Sequence, residues 1–143
     1  MNTDAHAAAI AAFFESLSPA QLAKLDTIYR DDACFKDPFN DVRGIDAIRR
    51  VYAHMFKTLE APRFVVTRHI GQGPDVFLLW DFHFRATGLR RRDNRIRGAT
   101  HLQLAPDGRI AAHRDYWDAA QEVYEEVPVL GAFMRWLKRR AAA

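Results

Sequence analysis

The chain has 143 residues, of which 49% are apolar, 27% charged and 12% aromatic, with a formal net charge of +3. That composition belongs to a globular domain long enough to bury a real core. The basic residues are scattered among acids apart from 89–97 and 137–140, so no basic stripe marks a nucleic-acid partner, and no apolar run is long enough to span a bilayer.

The single cysteine, Cys34, has no second cysteine for a disulfide or a thiolate metal site. The first residues carry an acid and no basic leader region, so the expected location is the cytoplasm. No repeat and no long linker interrupt the chain, and residues 1–143 are expected to form a single domain.

In chain order, residues 4–17 read as a helix with Ile10, Phe13, Phe14 and Leu17 on its apolar face. Ser18 as N-cap and Pro19 at the first helical position open a second helix, with Leu22, Leu25, Ile28 and Tyr29 as its buried stripe. Residues 33–37 read as a short strand. After Gly44 the clearest helix follows, with Ile45, Ile48, Val51, Tyr52, Met55, Phe56 and Leu59 at helical spacing.

Near residue 62 the period changes to two. "RFVVTRHI" reads as a strand, and in "VFLLWDFHFRATG" Trp80, Phe82 and Phe84 alternate with Asp81, His83 and Arg85. "RRRDNR" is expected to be a hairpin tip, "IRGATHLQL" returns, "APDG" turns, and "RIAAHRDYWD" is the last strand. "VPVLGAFMRWLKRR" closes the chain as an amphipathic helix with Val129, Leu130, Phe133, Trp136 and Leu137 apolar. Helices first and a meander after is an α+β order, with a curved, mainly antiparallel sheet wrapped in a cone around the N-terminal helices.

Asp37, in "CFKDPFN", has two readings. It either bonds the backbone of its own turn, as aspartates before proline commonly do, or faces a cavity at the end of its strand. On the last strand His113, Asp115 and Trp117 share one face by period two, and Arg114, Tyr116 and Asp118 take the other. His83 and His101 match no metal-ligand spacing, so no metal is expected.

"YRDDACFKDPF", a glycine and an amphipathic helix, with "DGRIAAHRDYWD" at the end, resembles the nuclear transport factor 2-like superfamily. Within it the chain is similar to ketosteroid isomerases and SnoaL-like polyketide cyclases. The resemblance covers nearly the whole chain and implies a small apolar ligand, no cofactor, and a homodimer formed through the outer face of the sheet. It places Asp37 at the proton-shuttling base, and Tyr29 and Tyr52 in a supporting network. Phe13 and Thr100 fall where ketosteroid isomerases carry their two oxyanion donors, so that activity is expected to be absent or feeble.

SnoaL-like cyclases use an acid on a late strand, and dehydratases of the superfamily an Asp–His pair. The expected catalytic set is therefore Asp37 as base and His113 as acid, oriented by Asp115. Phe13, Tyr29, Tyr52, Phe56, Trp80, Phe82, Phe84, Thr100 and Trp117 are the expected ligand contacts. A second reading is a non-catalytic ligand-binding or dimerisation module. An epoxide hydrolase is a third, and the Asp–Arg–Asp set it needs in this superfamily cannot be placed here.

Overall fold

The computed structural model describes residues 2–86, 93–119 and 128–142. Helix α1 (Thr3–Glu15) is capped by Asn2, whose side chain accepts from the Ala5 amide at 3.2 Å. Its buried face is Ala7, Ile10, Ala11 and Phe14. Two alanines there let the helix lie close on the sheet, and Gly71 leaves room for the Thr3 side chain, which a Cβ would meet at 2.5 Å. Phe13 is only partly buried, so the apolar face is turned slightly from the expected one.

The second helix is a 3-10 helix (Pro19–Thr27) rather than an α-helix. Leu22, Leu25 and Ile28 are spaced by three, which is the period of a 3-10 turn, and all three are buried. Tyr29 does not belong to that stripe. It opens strand β1 (Tyr29–Lys36), four residues before the expected strand start, because it pairs with Ile110 on the last strand. The Ile110 amide also donates to the Ile28 carbonyl at 2.7 Å.

β2 (Asp41–Arg43) folds back on β1, and α2 (Ile45–Thr58) follows Gly44, whose φ of 95° suits glycine. Then come β3 (Leu59–Gln72), β4 (Asp75–Ala86), β5 (Asp93–Leu104) and β6 (Ile110–Tyr116). The sheet order is β2-β1-β6-β5-β4-β3. All neighbours are antiparallel except β1 and β6, which run parallel. Irregularities in the β3–β4 register near Glu60 and Val66 bend the long strands, so the sheet curves over α1 and α2 without closing.

Asp93, Asn94 and Arg95 were expected in a hairpin tip but pair within β5, and the rest of that tip, residues 90–92, lies outside the described residues. The final helix α3 (Pro128–Ala141) carries Phe133, Trp136 and Leu137 exposed. The side chains of Val129 and Leu130 lie outside the described residues.

The inner face of the sheet and the helices share one core. Val76, Leu78, Trp80 and Phe82 of β4 alternate inward by the strand period, against Ile10, Phe14, Ile48 and Tyr52. Gly98 on β5 lies opposite Trp80, and a Cβ there would meet the indole at 2.4 Å. The missing side chain is what lets the indole lie flat across the neighbouring strand.

Candidate functional site

The last strand supplies the centre of the site. Alternation turns His113 and Asp115 inward, while Arg114 and Tyr116 stay exposed on the outer face. The His113 side chain is 4% exposed and that of Asp115 17%. His113 sits between Tyr29, stacked at 5.9 Å and 19°, and Phe35 at 4.5 Å. Its Nδ1 is 2.7 Å from the Tyr29 hydroxyl and its Nε2 2.7 Å from Asp115 Oδ1.

The carboxylate oxygen only accepts, so Nε2 carries a proton. In the neutral ring Nδ1 accepts from Tyr29, and Tyr29 in turn accepts from the Tyr52 hydroxyl 2.9 Å away. With Nδ1 protonated instead, Tyr29 accepts from the ring and donates to Tyr52, whose own proton then has no acceptor in this line. The line Tyr52–Tyr29–His113–Asp115 thus joins four side chains by three hydrogen bonds.

Asp115 Oδ1 also accepts from the Thr100 hydroxyl at 2.6 Å, and Thr100 accepts from Trp80 Nε1–H at 2.8 Å. The β5–β6 register sets Thr100 directly opposite Asp115. Among the described residues no buried side-chain nitrogen or oxygen is left without a partner. Burial, then mutual repulsion with Tyr52, then the charge of Asp115 hold the Tyr29 phenol well above its ordinary pKa. Burial likewise raises Tyr52, followed by the charge of Asp115. Both tyrosines therefore stay protonated as hydrogen-bond partners and do not serve as bases.

Asp115 borders an open groove beside Lys36 and Arg114 and two spaces on the inner face of the sheet. One is a deep chamber of about 30 Å³, bordered by Phe14, Trp80, Thr100, His113 and Asp115. The other is a cavity of about 420 Å³ between the sheet, α2 and the β1–β2 turn. The larger one is walled by Phe35, Phe39, Tyr52, Phe64, Trp80, Phe82, Phe84 and Trp117, with Asp37 and Asp115 as its acids. At this size it suits a small organic molecule.

Asp37 lies on that cavity, yet its carboxylate is engaged by its own loop. Oδ1 accepts from the amides of Phe39 at 2.8 Å and Asn40 at 2.6 Å, and the Asn40 side-chain amide bonds both oxygens. The turn reading and the cavity reading therefore hold together. The turn also sets Phe39 edge-on to Trp117, 5.5 Å away.

Of the expected residues, Asp37, Tyr52, Trp80, Phe82, Phe84, Asp115 and Trp117 line the larger cavity, and Thr100 and His113 the deep chamber. Tyr29 is wholly buried behind them. Phe13 and Phe56 line neither space and pack against the core instead. On the last strand Asp115 borders both spaces, while His113 borders the deep chamber alone. No hydrogen bond joins His113 to Asp37. Phe35 and Phe64 went unnoticed in the sequence. Phe35 is two residues before Asp37 on the same strand face, and Phe64 pairs with Phe82 at 4.6 Å.

A profile of the SnoaL-like domain matches residues 10–113. The chain belongs to the SnoaL-like domain family. No curated protein sequence matches it. Solved structures share the fold. A hypothetical protein with a ketosteroid isomerase-like fold from Catenulispora acidiphila, in complex with trimethylamine, is 18% identical, with a TM-score of 0.71 over 85% of this chain and 92% of that one. A protein described as a SnoaL-like polyketide cyclase from Shewanella denitrificans is 20% identical, with a TM-score of 0.69 over 84% and 93%. An LEH-like epoxide hydrolase from M. tuberculosis is 20% identical, with a TM-score of 0.68 over 94% and 98%. At such identities the shared property is the SnoaL-like fold, and chemistry has to be argued from side chains.

Proposed function

We propose that this SnoaL-like protein is a cofactor-free acid/base catalyst of the isomerase, cyclase or dehydratase kind, acting on a small apolar molecule held in the aromatic cavity. One observation carries the reading. Asp115 places a carboxylate at an apolar cavity with one oxygen, Oδ1, fixed by His113 and Thr100. Oδ2 takes no hydrogen bond from a described residue and is the atom left to accept a proton from a ligand. His113 donates to the charged carboxylate and so stabilises it, while Tyr29 and Tyr52 hold the imidazole in place. Asp37 is the second acid of the same cavity, and the proton relay of the proposal runs through Asp115.

Two other chemistries are disfavoured. Phe13 has no hydroxyl, and the Thr100 hydroxyl already donates to Asp115. An enolate would lack donors of which one alone is worth roughly 3–4 kcal/mol. Among the described residues no arginine lines the cavity, so a water-activating Asp–Arg–Asp set has no support. A homodimer through the outer sheet face is part of the proposal, since that face exposes Ile70, Phe77, Leu79 and Tyr116.

The test is turnover of a panel of polycyclic ketones and hydroxyketones, read by chromatography and mass. A 5-ene-3-ketosteroid in the panel should convert feebly. For any substrate found, Asp115→Asn should lower turnover by about a hundredfold or more, the usual worth of a positioned proton-transfer group. Equal turnover by Asp115→Asn would refute the role of Asp115. Binding without turnover across the panel would favour a ligand-binding module.

A further inference from the structure

The protein is basic overall, with 21 lysines and arginines against 18 acids. The larger cavity has the opposite sign. Its acids, among the described residues, are Asp37 and Asp115; no lysine or arginine joins them, and His54 is the one basic side chain in the lining. Lys36 and Arg114, the sequence neighbours of these acids, do not line the cavity but border an adjoining groove that Asp37 and Asp115 also reach: Lys36 lies near Asp41, and Arg114 lies over the Tyr116 ring at 4.8 Å. Two carboxylates thus share an aromatic enclosure that no lysine or arginine lines, with the His113 imidazole behind Asp115 and His54 on the wall.

We infer that the cavity selects an organic cation, a substrate or ligand carrying an alkylammonium group on an apolar body. This rests on the proposal that the cavity is the ligand site, and it names the class of molecule. A carboxylate beside apolar walls lacks the full hydration it would have in water, so a counter-charge is worth more there. Aromatic rings attract cations through the negative potential of their faces while also packing against alkyl groups, and tryptophan does so best. Trp80 and Trp117 both line the cavity.

An inorganic cation fits poorly, because the described residues hold no cluster of ligating groups. An anionic ligand would meet two like charges. A neutral apolar molecule would fill the space and bring no counter-charge to Asp37. The ammonium group suits the mouth, where Asp37 is held by its turn beside Phe39 and Trp117. That leaves Asp115, further in, to exchange a proton with the body of the molecule.

The test uses a matched pair of probes on the full chain: (4-hydroxyphenyl)trimethylammonium and 4-tert-butylphenol, which differ in charge and hardly in shape. Calorimetric titration at neutral pH and low salt should show the cation binding at least tenfold tighter. Asp37→Asn should reduce that preference at least threefold. Asparagine can keep accepting from the amides of Phe39 and Asn40, so the variant removes charge while preserving the turn. Asp115→Asn, with a circular dichroism spectrum like that of the unaltered chain, should reduce it again. Equal or tighter binding of the uncharged probe overturns the cation inference and leaves the cavity as a ligand site. Failure of both probes at millimolar concentration removes the cavity as the ligand site and the proposed function with it. Cation binding indifferent to both substitutions places the ion elsewhere and also overturns the inference.

Discussion

Each hydroxyl in the line behind Asp115 has a different weight, because the line has a middle and an end. Tyr29 is the middle, bonded to both Tyr52 and His113. Tyr29→Phe leaves two buried polar atoms without partners, and each such orphan costs about 1–3 kcal/mol. Tyr52→Phe removes an end, leaves Tyr29 still bonded to His113, and should cost about 1 kcal/mol. Urea titrations of the two variants should rank them in that order. The same residues set an alkaline limit. Burial raises both phenols in the folded chain, so the folded state holds protons that the unfolded chain releases above the ordinary tyrosine value, near 10. The stabilisation is complete below that value and declines as pH rises through the folded pKa values, because the unfolded state then binds fewer protons than the native one. Stability measured from pH 9 upward should fall, and the slope should flatten in either phenylalanine variant.

At the scale of elements, the β4–β5 pair shows how a backbone position governs the site. Gly98→Ala puts a methyl group into the space of the Trp80 indole. The indole must then tilt away, loosening its bond to Thr100 and with it the hold on Asp115. The expected loss is about 1–3 kcal/mol, the usual range for overpacking. A shift in tryptophan emission should accompany it, and unchanged emission and stability would show that the indole is not so confined. Elements with a clean period were legible without coordinates: α2 by its apolar stripe, and β4 and β6 by alternation. The 3-10 helix was hidden because Leu22, Leu25 and Ile28 fit both a three-residue and a 3.6-residue repeat over so short a span. The start of β1 was hidden because Tyr29 becomes a strand residue only by pairing with Ile110, 81 positions later in numbering. At the site, the face of His113 and Asp115 followed from period two. Which of the two reaches the larger cavity did not, since that depends on how deeply β6 lies beneath Phe14, Tyr29 and Phe35, and burial depth is a property of the whole sheet.

On the scale of the whole molecule, the outer sheet face gathers exposed Ile70, Phe77, Leu79 and Tyr116, with His101 stacked flat on Phe77 at 4.6 Å and bonded to Asp75. An apolar patch with fixed polar groups is the usual composition of a subunit contact. Sedimentation at micromolar concentration should give about twice the 16.4 kDa chain mass, and a monomer at that concentration would remove the proposed dimer. His83 and Arg85 border a separate groove with Glu60 and Arg63, further along the long strands.

The parallel pairing of β1 with β6 also constrains how the protein is made. The sheet's first long strand waits for its last, and the contact between Tyr29 and His113 joins positions 84 residues apart. A chain emerging from the ribosome can lay α1 against β3 and zip β3, β4 and β5 into a meander while β1 still has an unsatisfied edge. Only when β6 has cleared the exit does that edge close, and the same event brings His113 onto Tyr29 and Asp115 onto Thr100. Assembly of the proposed site is therefore tied to the synthesis of β6. A nascent chain stalled before residue 110 would expose a strand edge open to mispairing and lack the His113 and Asp115 side chains of the proposed site.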